Sequence, residues 1–320
     1  MHAKAPSPNL IARFVDIVGE ANALTRAEDQ VAYLREWRDR YVGRTPVVLR
    51  PGSTAEVARI LSLAHAEDVG IVPQGGNTGL VGGQIPSADG RQIVLSLSRL
   101  KAIRDVDAVG GTMIVESGVT LTEAQNAAKA AGRLFPLSLA SEGSAQIGGV
   151  LSSNAGGTAV LAYGNARSLA LGLEAVLADG RVWNGLRRLK KDNTGYDLRD
   201  LLIGSEGTLG IITKAVLKLW PAPKDVSTAW LAVRDPRAAL EILSEAHAAS
   251  EDNVGSCELL SRAAVDLVMR HIPGVQDPLK ADTPWYLLLE WSSSRPRQEG
   301  ADGMSEKLEA FLADQLEAMA

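Results

Sequence analysis

The sequence predicts an α+β protein of two units, and three observations carry that expectation. Short apolar runs alternate with glycine-rich loops as far as about Pro221, two helices are announced by capping-box spacings, and beyond Pro221 and Pro223 strand-like and helix-like runs alternate. At 320 residues the chain also exceeds the roughly 250–300 at which one hydrophobic core stops growing.

The elements follow in order. Val31, Leu34, Trp37 and Tyr41 stand at helical spacing and predict an amphipathic helix in an N-terminal arm, residues 1–42. Val47 to Leu49 reads as a strand. Ser53 and Glu56 open a helix whose buried stripe is Val57, Ile60, Leu61 and Ala64, with Gly70 placed to end it before a strand at Ile71 to Pro73. Further strands are expected at Gln92 to Leu97, Thr112 to Val115, Leu173 to Leu177, Arg181 to Trp183 and Gly210 to Leu219, with a hairpin turn at Ala178-Asp179-Gly180. Thr120 and Glu123 open a second helix that closes at Gly132.

Prolines at 221 and 223 remove backbone donors, so a boundary is placed between residues 43–222 and 223–320. The second unit reads as strand Trp230 to Val233, helix Pro236 to Ser250, strand Ser256 to Leu260, helix Arg262 to Arg270, strand Trp285 to Trp291 and helix Ser305 to Met319.

Composition narrows the function. With 46% hydrophobic and 22% charged residues the chain is globular, and a net charge of -5 with both signs mixed leaves no footprint for nucleic acid. Cys257 is the single cysteine, which excludes an internal disulfide or a cysteine-rich metal site. No apolar run reaches the ~18 residues of a spanning helix and no signal-peptide core is visible, so a cytoplasmic protein is expected. The histidines, His2, His65, His247 and His271, make no ligand spacing, and no metal is expected.

Three glycine-rich segments carry the chemistry. Pro73-Gln74-Gly75-Gly76-Asn77-Thr78-Gly79-Leu80 follows a strand, and consecutive glycines let backbone N–H groups converge on an anion such as a pyrophosphate. The loop lacks the Lys-Ser or Lys-Thr pair of a P-loop, and it does not open a helix as a dinucleotide fingerprint does. Glu142 to Gly157 is dense in small residues that let backbone lie against a flat ligand, although helix-on-sheet packing explains the same density. Lys191 to Leu198, with Ile203 to Ile212, places a strand start at two glycines, where free backbone groups could read a heterocycle; Glu206 could equally be a solvated carboxylate. One extended cofactor surrounded by all three segments explains them jointly.

Together these segments resemble the FAD-binding domain of the vanillyl-alcohol oxidase and p-cresol methylhydroxylase superfamily, nearest the D-2-hydroxyglutarate, D-lactate and glycolate dehydrogenases. The resemblance implies a two-subdomain FAD-binding domain of the p-cresol methylhydroxylase type, followed by a substrate, or cap, domain with an antiparallel sheet, here incomplete. It implies that Gly75, Gly76, Asn77, Thr78 and Gly79, flanked by Pro73 and Leu80, wrap the pyrophosphate. Pro136, Gly143, Ser144, Ile147, Gly148, Gly149, Asn154 and Gly156 are expected along the dinucleotide, and Glu206, Gly207, Gly210 and Ile212 near adenosine or isoalloxazine. With Asn77 in the loop and no histidine, FAD is expected to be non-covalent.

The implied reaction is dehydrogenation of a small 2-hydroxy carboxylate, with hydride passing from substrate Cα to flavin N5 and the electrons then going to a quinone or an electron-transfer protein. A homo-oligomer is compatible with the sequence. No catalytic residue is assigned, because the histidine-rich motif and substrate-binding cations that the resemblance implies are not seen. That gap motivates an alternative expectation, of an FAD-binding fragment or partner subunit without turnover of its own. A non-redox alkylglycerone-phosphate synthase is a third reading, but it would need a long hydrophobic tunnel that nothing in the sequence indicates.

Overall fold

The computed structural model describes residues 4–279, 282–297 and 302–319. The chain divides into two compact units, Met1–Gly156 with Asn165–Trp220, and Gly157–Gly164 with Pro221–Ala320.

The first unit holds two larger sheets. A four-stranded sheet has the order Ala23–Leu24, Val48–Leu49, Ile93–Ser96, Ile71–Gln74, its last three strands parallel and its first antiparallel. The parallel strands are apolar on both sides because helix Thr54–Ala66 crosses between two of them and adds Val57, Ile60, Leu61 and Ala64 to their core. A five-stranded sheet, antiparallel throughout, has the order Ile103–Asp107, Thr112–Glu116, Ile211–Lys218, Ala170–Val176, Val182–Gly185.

Local signals in the sequence act as expected. Ser53 Oγ accepts from the Glu56 amide at 3.2 Å, and the Thr120–Glu123 box is closed in both directions. The corner after Leu177 turns through Gly180 at φ +87°, with the Leu177 amide donating to the Arg181 carbonyl at 2.8 Å. Helix Thr54–Ala66 differs at its end. Asp68, at φ +55°, takes the left-handed position expected of Gly70.

The N-terminal arm departs further. No helix runs through residues 31–41; Ala27–Gln30 and Val31–Tyr33 are single turns, and Val31 and Trp37 are 58% and 82% exposed. Helical spacing produces a helix only where its stripe finds a surface to bury against. Here the Glu36 carboxylate instead binds the amides of Arg38 and Arg40 at 2.7 and 2.6 Å, folding the segment into a tight loop. The helix of this region is Pro8–Val18, capped by Ser7, with Leu10, Phe14 and Val18 buried in the core beside helix Thr54–Ala66. Ser7-Pro8 followed by apolar residues four apart was the available signal.

One buried polar cluster ties helix to sheet. Glu174 Oε1 accepts from Lys214 Nζ at 2.7 Å, from Thr213 Oγ1 at 2.8 Å and from Thr54 Oγ1 at 2.7 Å. Burial pushes the Glu174 carboxyl up, but these donors together outweigh it and hold the group below its ordinary value.

The second unit is a three-stranded antiparallel sheet with Trp285–Ser293 between Asp225–Val233 and Val254–Ser261. Leu287, Leu289 and Trp291, alternating along the central strand, face helices Pro236–Ala249 and Met304–Met319. Helix Arg262–His271 follows Val254–Ser261. The short helix Val160–Tyr163 belongs to this unit and packs on Val254–Ser261. Burial and the charge of Glu290 raise the Tyr163 hydroxyl above its usual range, opposed by its hydrogen bond with Ser292. Among the described residues no helix is long and apolar enough to cross a membrane.

Candidate flavin site

A cavity of about 510 Å³ lies wholly within the first unit and collects parts of all three glycine-rich segments. The first segment enters from strand Ile71–Gln74. Pro73, Gly75, Gly76, Asn77, Thr78, Gly79 and Leu80 all line the cavity. Among the described residues, none of the backbone N–H groups of Gly75 to Gly79 donates to a protein group. Five successive unpaired donors are costly unless a ligand or water takes them, and they form an anion cradle that needs no cationic side chain. No lysine or arginine lines the cavity.

The second segment divides. Gly148, Gly149 and Gly156 line the cavity, but the two adjacent glycines do different work. A Cβ on Gly148 would meet Ser117 Cβ at 2.7 Å, which is close packing of helix Ile147–Ser152 on the sheet, whereas a Cβ on Gly149 would meet nothing within 4 Å. Four expected residues do not reach the cavity. Pro136 and Ile147 are buried in the core, while Gly143 and Ser144 are exposed in the preceding turn. Asn154, at φ +48°, lies outside it too; its Oδ1 accepts from the Arg167 amide at 3.0 Å, which ties the side chain to the turn Ala166–Leu169.

The third segment is zipped to the end of that helix. The amides of Gly204 and Glu206 donate to the carbonyls of Leu151 and Ser152 at 3.0 and 2.9 Å, bringing Glu206, Gly207 and Ile212 to the cavity. Gly207, at φ +79°, closes against Pro73, whose Cγ is 2.6 Å from the position of a Cβ. Glu206, at φ +52°, is exposed, with its carboxylate 3.3 Å from the Cβ position of Gly83. Gly210 falls instead on a smaller cavity of about 240 Å³, which shares Pro73, Gly207 and Ile211 with the first. Lys191 to Leu198 stands away from both, exposed along its length.

Ser152 and Ser153, hydroxyl residues of the second segment, also line the cavity, and residues to which the sequence reading gave no role complete the wall, among them Gln84, Leu97, Leu139, Ser141 and Gln146. The buried Oε1 of Gln146, a residue of the cavity wall, has no hydrogen-bond partner among the described residues. Unpaired amides for a pyrophosphate, an open glycine and an orphaned acceptor beside apolar walls suit an extended dinucleotide. The described residues contain no cluster of three metal-ligating side chains; His2 lies outside them.

Comparison with known proteins points to a flavin-binding chain. Residues 45–185 match an FAD binding domain, and residues 222–320 match the C-terminal domain of FAD linked oxidases. The chain is 37% identical to the mitochondrial D-2-hydroxyglutarate dehydrogenase of Arabidopsis thaliana over 307 residues, covering 96% of this chain and 54% of the relative. It is 36% identical to a putative mitochondrial D-lactate dehydrogenase of Schizosaccharomyces pombe, covering 95% of this chain and 58% of the relative. A D-2-hydroxyglutarate–pyruvate transhydrogenase of Saccharomyces cerevisiae is 34% identical, with 90% and 56% covered. The chain thus spans about half the length of the curated relatives it matches.

Two solved structures share the fold. An alkyldihydroxyacetonephosphate synthase superposes with TM-score 0.78 at 19% identity, covering 99% of this chain and 61% of its own. Substrate-bound p-cresol methylhydroxylase superposes with TM-score 0.72 at 17% identity, covering 97% and 63%.

The relatives' names correct the cytoplasmic expectation, since several are designated mitochondrial. A low cysteine count and the lack of a long apolar run are properties that proteins of different reducing compartments share.

Proposed function

We propose that this chain, which carries a match to an FAD binding domain followed by a match to the C-terminal domain of FAD linked oxidases, acts as a D-2-hydroxy acid dehydrogenase. FAD is its cofactor. The observation that carries the reading is the row of unpaired amides from Gly75 to Gly79 on a cavity without cationic side chains. Those amides would hold the pyrophosphate, Gly149 would leave room for the dinucleotide, and Gln146 Oε1 would accept from its hydroxyl or amino groups.

Bound flavin supplies an acceptor for the hydride that leaves substrate Cα. The chain's share is to hold that acceptor rigidly and to keep one face of the site apolar, through Leu97, Leu139 and Val150. Residues 43–222 are assigned to flavin binding and 223–320 to the substrate side. The electrons pass on to a quinone, an electron-transfer protein or, as the name of the yeast relative suggests, a 2-oxo acid such as pyruvate.

Purified protein should be yellow, and acid precipitation should release the flavin into the supernatant, since no histidine stands in the Gly75–Gly79 loop. Anaerobic addition of D-2-hydroxyglutarate or D-lactate should bleach the flavin absorbance. An oxidised spectrum with both acids would sink the substrate class while leaving the cofactor assignment in place.

A further inference from the structure

We propose that Asn77, Gln74 and Gln84 form a clasp that holds the flavin loop in its binding form, which makes Asn77 a positioning residue rather than a flavin ligand. The proposal rests on the reading of the cavity as the FAD site. Each of the three side chains carries a primary amide with two donor hydrogens, and in all three both are used within the protein. Gln74, only 2% exposed, donates to the carbonyls of Tyr33 and Gln84, both at 2.9 Å. Asn77 donates to the carbonyls of Ala32 at 3.0 Å and Arg35 at 2.9 Å. Gln84 donates to Asn77 Oδ1 at 3.2 Å and to the Gly79 carbonyl at 2.7 Å. The Asn77 oxygen is therefore engaged as well.

The arrangement answers a physical difficulty. A loop that keeps five amides unpaired has no secondary structure of its own to define it, and such amides otherwise turn toward any available carbonyl or water. The clasp fixes the loop from outside by its side chains and by the Gly79 carbonyl, so that the N–H groups stay free. Asn77 sits at φ +54°, a left-handed conformation that asparagine tolerates better than most residues. The anchoring carbonyls belong to Ala32, Tyr33 and Arg35. The tight loop of the N-terminal arm is thereby part of the flavin machinery although none of its residues lines the cavity.

The test uses the full chain freed of flavin. Gln84→Met keeps the length of the side chain and removes its two donors, and Asn77→Gly keeps the left-handed backbone and removes three of the bonds. Hydrogen–deuterium exchange of peptides covering 31–36 and 75–84 should be faster than in the parent in both variants. Flavin affinity, titrated by fluorescence quenching, should fall about tenfold in Gln84→Met and further in Asn77→Gly. Parental exchange rates overturn the clasp, including the case in which affinity falls while exchange does not, because the side chains then touch flavin directly. A parent chain that binds no FAD removes the cavity assignment beneath the proposal, whereas the exchange comparison still decides whether the clasp orders the loop.

Discussion

The carbonyl oxygen of Ser144 lies 1.8 Å from the position a Cβ on Gly76 would occupy. Glycine is required there by the approach of two glycine-rich segments to each other, and not by a positive φ, which in this loop belongs to Asn77 and Gly82. Gly76→Val should therefore separate the loop from the turn before helix Ile147–Ser152, costing about 1–3 kcal/mol by overpacking and abolishing flavin binding. Flavin content and urea midpoint of the purified variant measure both effects. Parental flavin content would show the contact to be dispensable.

Gly148 and Gly149 should respond in opposite ways to the same substitution. Gly148→Ala drives a methyl group into Ser117 and should destabilise the protein by about 1–3 kcal/mol. Gly149→Ala meets open space, so the helix should gain up to about 1 kcal/mol while FAD affinity drops, because the methyl group takes cavity volume. Equal stability changes, or unaltered affinity in Gly149→Ala, would refute the division.

The Glu174 cluster makes stability depend on pH with a definite sign. Its folded carboxyl titrates below the ordinary value of 4.5, so its stabilisation is complete above that value and is lost as the pH falls through the lowered one. Glu174→Gln should cost about 1–3 kcal/mol near neutral pH, since Lys214 loses its charged acceptor. Urea unfolding at about pH 7 and about pH 3 should show the gap between variant and parent narrowing in acid; a constant gap excludes the carboxylate as its source.

How much of this was legible can be judged residue by residue. The N-caps at Ser53 and Thr120, the Gly180 corner and the element order of the second unit depend on neighbours a few residues away, and they were read correctly, although at Ser53 the Glu56 carboxylate accepts from the Gly52 amide and closes no capping box. The helix expected across residues 31–41 was not local in that sense, because its existence depends on a surface for Trp37 that the fold does not provide. In the site, glycine density marked segments of which parts line one cavity, but it could not tell close packing from open space: Gly148 and Gly149 are identical in sequence and differ only in what stands opposite. Polar side chains are ambiguous for a related reason. Asn77 and Asn154 spend their amides on the chain itself, and Gln146, whose oxygen is unspent, was passed over. Lys191 to Leu198 was grouped with the site by its neighbourhood to Gly207, and the intervening helix Leu198–Leu202 carries it away.

The path of Gly157–Gly164 has a consequence for how such a protein could be re-engineered or inherited in pieces. The backbone passes between the two units at three places, after Gly156, after Gly164 and after Trp220. A gene exchange confined to the stretch encoding Pro221 onward would import a foreign sheet yet retain the resident Val160–Tyr163 turn, whose Tyr163 is matched to Ser292 and Glu290. Replacement of the second unit thus requires two separate stretches of coding sequence to travel together, and a chimaera joined once at the prolines begins with a mismatched patch on strand Val254–Ser261.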